Sequence, residues 1–176
     1  MKRSIFLDRD GVLIRIKKQK NKPFSVDNFD KISLIKETQK TLKKFKKDYL
    51  LIMVTNQPNV SRGLVSKSKV TKINNFIKKK LDLDDIYCCF HDDNDKCKCR
   101  KPKAGMLFEA KKKWKINLKK SFLVGDRKKD IEAGKKAGCK NFFIDYNYDE
   151  IKPSKKNCTY IKSFKEIEKY IRWIKY

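Results

Sequence analysis

The stretch Ser4-Ile5-Phe6-Leu7-Asp8-Arg9-Asp10-Gly11 decides how the rest of the chain reads. A short apolar run stops abruptly at two carboxylates, as in a buried strand that delivers acids to the end of a sheet. In extended chain, side chains two apart project to one side, so Asp8 and Asp10 are expected to share a face while Arg9 points away. Gly11 permits a sharp turn and a close approach of backbone to ligand. Two acids at one strand end suit a divalent cation, leaving one carboxylate for nucleophilic or acid–base work. Alone, the same residues also describe a polar strand end before a turn.

Outward from this stretch, strands and helices alternate. Leu50–Val54 is apolar throughout and reads as a strand covered on both faces. Asp85–Cys89, Phe122–Val124 and Asn141–Asp145 read as further strands. Ile35, Thr38, Leu42, Phe45 and Tyr49 recur at helical steps, as do Val70, Ile73, Phe76 and Ile77. Ala104–Trp114 and Lys128–Ala137 are expected helices, the second closed by Gly138. A last helix is expected to open with a capping box at Ser163 and Glu166 and to bury Phe164, Ile167, Ile171 and Ile174. Arg15–Asp30 is polar, contains Pro23 and follows no period, so it reads as a loop or flap. No repeat or linker divides residues 1–176, which are read as one α/β domain with a parallel, doubly wound sheet. Ligands then belong at the carboxyl ends of its strands.

Chemical residues fall at those ends. Thr55-Asn56-Gln57 offers a hydroxyl, amides and backbone N–H groups for phosphate oxygens, although a plain polar turn would look the same. Gly125-Asp126-Arg127, with Asp130 one turn further on, adds an acid that can complete a magnesium site with Asp8 and Asp10. Arg100-Lys101-Pro102 supplies two cations able to neutralise a transferring phosphoryl group.

Charge and cysteines narrow the classes. Forty-seven basic residues against 21 acidic ones give a formal net charge of +26, which invites a nucleic-acid reading. Only seven of the basic residues are arginine, and the lysines fall between the apolar helix positions. They read as solvated helix faces whose field draws in small anionic substrates, and specific nucleic-acid binding is not expected. No apolar run is long enough to span a membrane, and Met1-Lys2-Arg3 leads straight into the first strand, so a cytoplasmic monomer is expected. Four of the six cysteines lie between Cys88 and Cys99, around the single histidine, His91. Cys89-Phe90-His91 and Cys97-Lys98-Cys99 each present two ligands to one side, and Cys, His, Cys, Cys is a complete tetrahedral set for structural zinc. Cys88 points the other way and, like Cys139 and Cys158, reads as packing.

Together, Phe6-Leu7-Asp8-Arg9-Asp10-Gly11-Val12, Val54-Thr55-Asn56-Gln57, Arg100-Lys101-Pro102 and Gly125-Asp126-Arg127…Asp130 resemble the four motifs of the haloacid dehalogenase superfamily. The resemblance implies a Rossmann-like sheet, and the short loops between the motifs imply that no large cap is inserted. It also implies a magnesium-dependent phosphatase in which Asp8 attacks phosphorus and Asp10 protonates the leaving alcohol, then activates water. Asp8, Asp126 and the Asp10 backbone carbonyl would hold Mg2+, while Thr55 and Lys101 would hold the phosphoryl oxygens. Asn56, Gln57, Arg100 and Arg127 are expected to contact substrate. The run Cys89-x-His91…Cys97-x-Cys99-Arg100-Lys101-Pro102 is similar to the zinc loop of D-glycero-D-manno-heptose 1,7-bisphosphate 7-phosphatases, with histidinol-phosphate phosphatases as relatives. Loop 89–99 would fix Lys101 at the reacting phosphoryl group and aim Arg100 at a second, remote phosphate. The acidic spacer Asp92–Lys96 and flap 15–30 are expected to touch the sugar. Histidinol-phosphate phosphatase is the runner-up activity, and a nucleic-acid 3′-end phosphatase or nucleic-acid-binding protein is the remaining alternative.

Overall fold

Six strands form one parallel sheet in the order β5-β4-β1-β6-β7-β8. They are β1 (Ser4–Leu7), β4 (Leu50–Asn56), β5 (Asp85–Cys89), β6 (Phe122–Gly125), β7 (Lys140–Ile144) and β8 (Thr159–Ile161). The computed structural model describes residues 1–19 and 21–171. From β1 the chain winds outward through β4 and β5 on one side and through β6, β7 and β8 on the other. The winding reverses between β1 and β6, and a crevice for ligands opens where that happens.

Alternation of side chains along the strands builds two cores. Ile5 and Leu7 of β1, with Leu51 and Met53 of β4, face α1 (Lys36–Phe45), α2 (Lys67–Leu81) and α5 (Ile167–Ile171). Phe6, Ile52 and Val54 face the other way, onto α3 (Gly105–Trp114) and α4 (Lys128–Ala137). Cover on both faces explains why the central strands are apolar throughout. The lysines between buried helix positions are exposed at Lys36, Lys40, Lys43 and Lys44 of α1, as solvated faces should be.

Several local expectations are corrected. The stretch expected as a loop at Arg15–Asp30 contains an antiparallel hairpin, β2 (Lys17–Gln19) with β3 (Lys22–Phe24). The hairpin forms its own two-stranded sheet, and Asn21, at φ 56°, makes its turn. Tyr49 is buried but lies past the end of α1, in the turn leading to β4. The capping box at Ser163 and Glu166 does not form. A 3₁₀ turn (Phe164–Glu166) opens the last helix, Ser163 makes no side-chain cap bond, and Glu166 accepts from the Lys162 backbone instead. Phe164, Ile167 and Ile171 are buried as expected, and Ile174 lies outside the described residues. Strand β8 was not anticipated, because three residues at a sheet edge carry too little pattern to read.

Candidate active site

Every chemical residue anticipated at a strand end lies along the carboxyl edge of β1, β4 and β6 or on the segments that follow. Asp8 continues β1, its backbone N–H donating to Val124 of β6 at 3.0 Å. Asp126 follows β6. Lys101 reaches in between, with its ammonium 2.6 Å from Asp8 Oδ1, 2.6 Å from Asp130 Oδ1 and 2.9 Å from the Val54 carbonyl. Asp8, Asp126 and Asp130 each offer an oxygen within 4.8 Å of the others, and all three are buried. Asp130, one turn along α4, also accepts from the Arg127 backbone N–H at 3.0 Å and so ties the helix start to the cluster.

Three buried carboxylates cluster beside one ammonium that contacts two of them, and the electrostatics follow. Burial pushes Asp8 up to about 6, against the Lys101 charge that holds it down. Burial, then the neighbouring Asp8 and Asp130 charges, push Asp126 well above the usual carboxylate range. Burial works against the Lys101 charge, yet Asp130 and Asp8 override it and keep the ammonium above the ordinary lysine range. Asp126 Oδ1 is buried with no hydrogen-bond partner among the described residues. Hard oxygen donors, surplus negative charge and an orphaned carboxylate oxygen fit a divalent cation such as Mg2+. Gly11, at φ +84°, passes so close that a Cβ there would stand 2.1 Å from Asp126 Oδ2. The turn after β1 therefore needs glycine for both conformation and room.

Asp8 and Asp10 both line the cleft, and Arg9 does not. Arg9 turns into the protein behind it and folds onto Asp10. Its guanidinium is fully buried, donating to both Asp10 oxygens at 3.1 and 3.2 Å, to Asn74 Oδ1 at 3.1 Å and to Gln57 Oε1 at 2.9 Å. Gln57 in turn donates to Asp10 and to Thr55 Oγ1. Thr55 and Gln57 therefore sit buried behind the cleft, and the Gln57 backbone N–H is already used by Cys89. Asn56 lines the cleft, its side chain accepting from Lys101 N and donating to Lys101 O, which clamps the lysine backbone.

The four expected zinc ligands converge. Cys89 Sγ lies 3.7 Å from Cys97 Sγ and 3.2 Å from Cys99 Sγ, and His91 Nδ1 lies 3.6 and 3.4 Å from Cys89 and Cys99. A tetrahedron with Zn–S bonds of ~2.3 Å has S–S edges of roughly 3.8 Å, so the set is sized for zinc. No cysteine is in a disulfide. Cys88 stays out of the set, beside Arg9 and Asn74, where burial pushes its thiol up to about 12.

The acidic spacer and Arg100 do something different from what was expected. Asp92 grips the Arg62 guanidinium at 2.6 and 2.9 Å, Asp95 takes the Ser61 hydroxyl at 2.7 Å, and Asp93 grips Arg100 at 2.7 and 3.2 Å. These acids brace the loop, and Arg100 is one of the braces. It does diverge from Lys101, but it is not among the residues that line the cleft. Arg127 lines it with its guanidinium held by both oxygens of Glu150.

Sequence reasoning missed three residues. Tyr148 donates to Asp126 Oδ2 at 2.7 Å, Arg9 fixes Asp10, and Lys129 lines the cleft. Tyr148 stands four residues past β7 with no motif around it. Arg9 was visible, but its burial was not, and Lys129 is hidden in a chain full of lysines.

A family model of polynucleotide kinase 3 phosphatases matches residues 3–160. The D-glycero-beta-D-manno-heptose-1,7-bisphosphate 7-phosphatase of Pasteurella multocida is 36% identical over 99% of this chain and 100% of its own. The corresponding alpha-series enzyme of Campylobacter jejuni is 30% identical, covering 98% and 96%. The crystal structure of a heptose bisphosphate phosphatase from B. bronchiseptica, complexed with magnesium and phosphate, superposes with a TM-score of 0.79 at 22% identity, covering 98% of both chains. The chain belongs to the polynucleotide kinase 3 phosphatase family, within the haloacid dehalogenase phosphatases, and heptose bisphosphate 7-phosphatases are among its relatives.

Proposed function

We propose that this phosphatase removes the 7-phosphate of D-glycero-D-manno-heptose 1,7-bisphosphate through an aspartyl-phosphate intermediate. The observation that carries the chemistry is the buried quartet of Asp8, Lys101, Asp126 and Asp130 at the switch point of the sheet. The substrate comes from relatives that share nearly the whole chain. An Asp8 oxygen attacks phosphorus, the bond to the sugar oxygen breaks, and Asp10 gives that oxygen a proton. Asp10 then takes a proton from water, which attacks the aspartyl phosphate, frees phosphate and restores Asp8. Arg9 and Gln57 hold Asp10 for both transfers, and Ser25 and Val26 of the flap also reach it, at 3.4 Å each. Lys101 neutralises charge on the phosphoryl oxygens. Asp8 and Asp126, with the Asp10 backbone carbonyl, would hold Mg2+, which supplies further charge neutralisation at the transferring group.

The test is phosphate release from heptose bisphosphate of either anomeric series, histidinol phosphate and a 3′-phosphorylated oligonucleotide. Heptose bisphosphate should give the highest kcat/KM. The oligonucleotide is included because the matching family is that of polynucleotide kinase 3 phosphatases. If histidinol phosphate or the oligonucleotide gave the highest value, the heptose assignment would be wrong.

Zinc on Cys89, His91, Cys97 and Cys99 would leave no open position for water, so its part is to hold the loop that delivers Lys101. Protein purified without chelator should carry one zinc per chain by elemental analysis. Brief dilute EDTA should stop turnover, and magnesium alone should restore it, because Mg2+ binds through few protein ligands and exchanges first. Zinc-free protein with full activity would overturn this assignment.

A further inference from the structure

Among the described residues, three cationic side chains line the cleft, and two of them are already engaged. Lys101 is held by Asp8 and Asp130, and Arg127 by Glu150. The third, Lys129, sits in the first turn of α4 and is half-buried. Among the described residues, no carboxylate lies within 4.0 Å of its ammonium. Burial, then the positive charge of Arg127, pushes that ammonium below the ordinary lysine range. The opposite wall comes from the flap and is uncharged, made by Ile16, Pro23, Phe24 and Ser25. Lys17 and Lys22 of the hairpin do not line the cleft, and Arg100 is occupied by Asp93 outside it.

Asp130, Asp8 and Asp93 act on this ammonium only from beyond ion-pair distance, and a partly desolvated ammonium with no carboxylate in contact, facing a cleft open to solvent, is a place for an anion. We propose that Lys129 anchors the second, non-reacting phosphate of the substrate, the part expected of Arg100 from sequence. The inference rests on the bisphosphate reading of the site. Asp130, next to Lys129 on the helix, grips Lys101, so the two cations keep a fixed separation and can meet the two phosphates of one molecule. A lysine serves here as a point charge, whereas a bidentate arginine would fix an orientation.

The test compares wild type with Lys129→Met, Lys129→Arg and Arg100→Ala, all loaded with magnesium, on heptose 1,7-bisphosphate and heptose 7-phosphate. Lys129→Met should lose roughly 10–100-fold more kcat/KM on the bisphosphate than on the monophosphate, mostly in KM, as befits a hydrogen bond to a charged group. Lys129→Arg should restore most of the difference, and Arg100→Ala should affect both substrates alike. Equal losses on both substrates in Lys129→Met, or selective loss in Arg100→Ala, would overturn the inference. If wild type did not hydrolyse the heptose bisphosphate, the functional reading would fall by itself. Lys129 would then be judged on inhibition of p-nitrophenyl phosphate hydrolysis by fructose 1,6-bisphosphate against fructose 6-phosphate. A wild-type preference for the bisphosphate that collapses at least about tenfold in Lys129→Met supports it. No preference, or a preference that survives the substitution, refutes it.

Discussion

Asp8→Asn should leave a folded protein that releases no measurable phosphate. The two side chains match in size, and an asparagine Oδ1 can still accept from the Lys101 ammonium that stands 2.6 Å from Asp8 in the wild type. Lys101 also keeps Asp130 as a full counter-ion, so the buried charge is not stranded. What is lost is the nucleophile, since an amide cannot form and release an acyl phosphate under these conditions. Asp10→Asn should be less severe, costing roughly 10²–10⁴-fold, the usual scale for an acid–base group. Phosphate release at saturating magnesium, with a thermal melt of the same preparation, checks both variants. Near-normal release by a folded Asp8→Asn protein would exclude the aspartyl-phosphate route.

Lys101→Met should damage activity and stability together. Methionine is close in length but removes the one cation that, among the described residues, is ion-paired with Asp8 and Asp130. Breaking a buried ion pair by deleting one partner typically costs about 3–5 kcal/mol, because the remaining charge is uncompensated. Turnover should fall by roughly 10²–10³-fold, the scale for losing a preorganised electrostatic partner of the reacting group. The pH profile gives the sharper test. Lys101 holds Asp8 down, and even so burial raises Asp8 to about 6. Without Lys101 that value rises further, so the nucleophile is more protonated at neutral pH and the acid limb of kcat/KM moves to higher pH. The sign for stability is opposite. A carboxyl whose folded value lies above its unfolded one favours folding in acid, and that contribution disappears as pH rises through the folded value. The variant should therefore be least handicapped in stability at low pH and least handicapped in rate at high pH. An unshifted acid limb would mean that Lys101 does not govern the ionisation of Asp8.

Much of this was legible in the chain itself. An apolar run ending in Asp8-Arg9-Asp10-Gly11 can be buried only as a strand, and parallel strands separated by helices must bring their carboxyl ends to one edge. That determined the sheet, the meeting of Asp8, Lys101 and Asp126, and the closure of Cys89, His91, Cys97 and Cys99 into one set, because period and spacing are local properties of sequence. Tertiary structure decided what each charge is paired with. Arg9, turned away from the cleft, was paired with Asp10, Asn74 and Gln57 behind it. Arg100 was taken up by Asp93, and Arg127 by Glu150, while Lys129 was left facing the cleft. No periodicity encodes those outcomes. Long charged side chains choose partners by distances set across the fold, and in a chain with 47 basic residues the sequence gives no sign of which cation remains for a ligand.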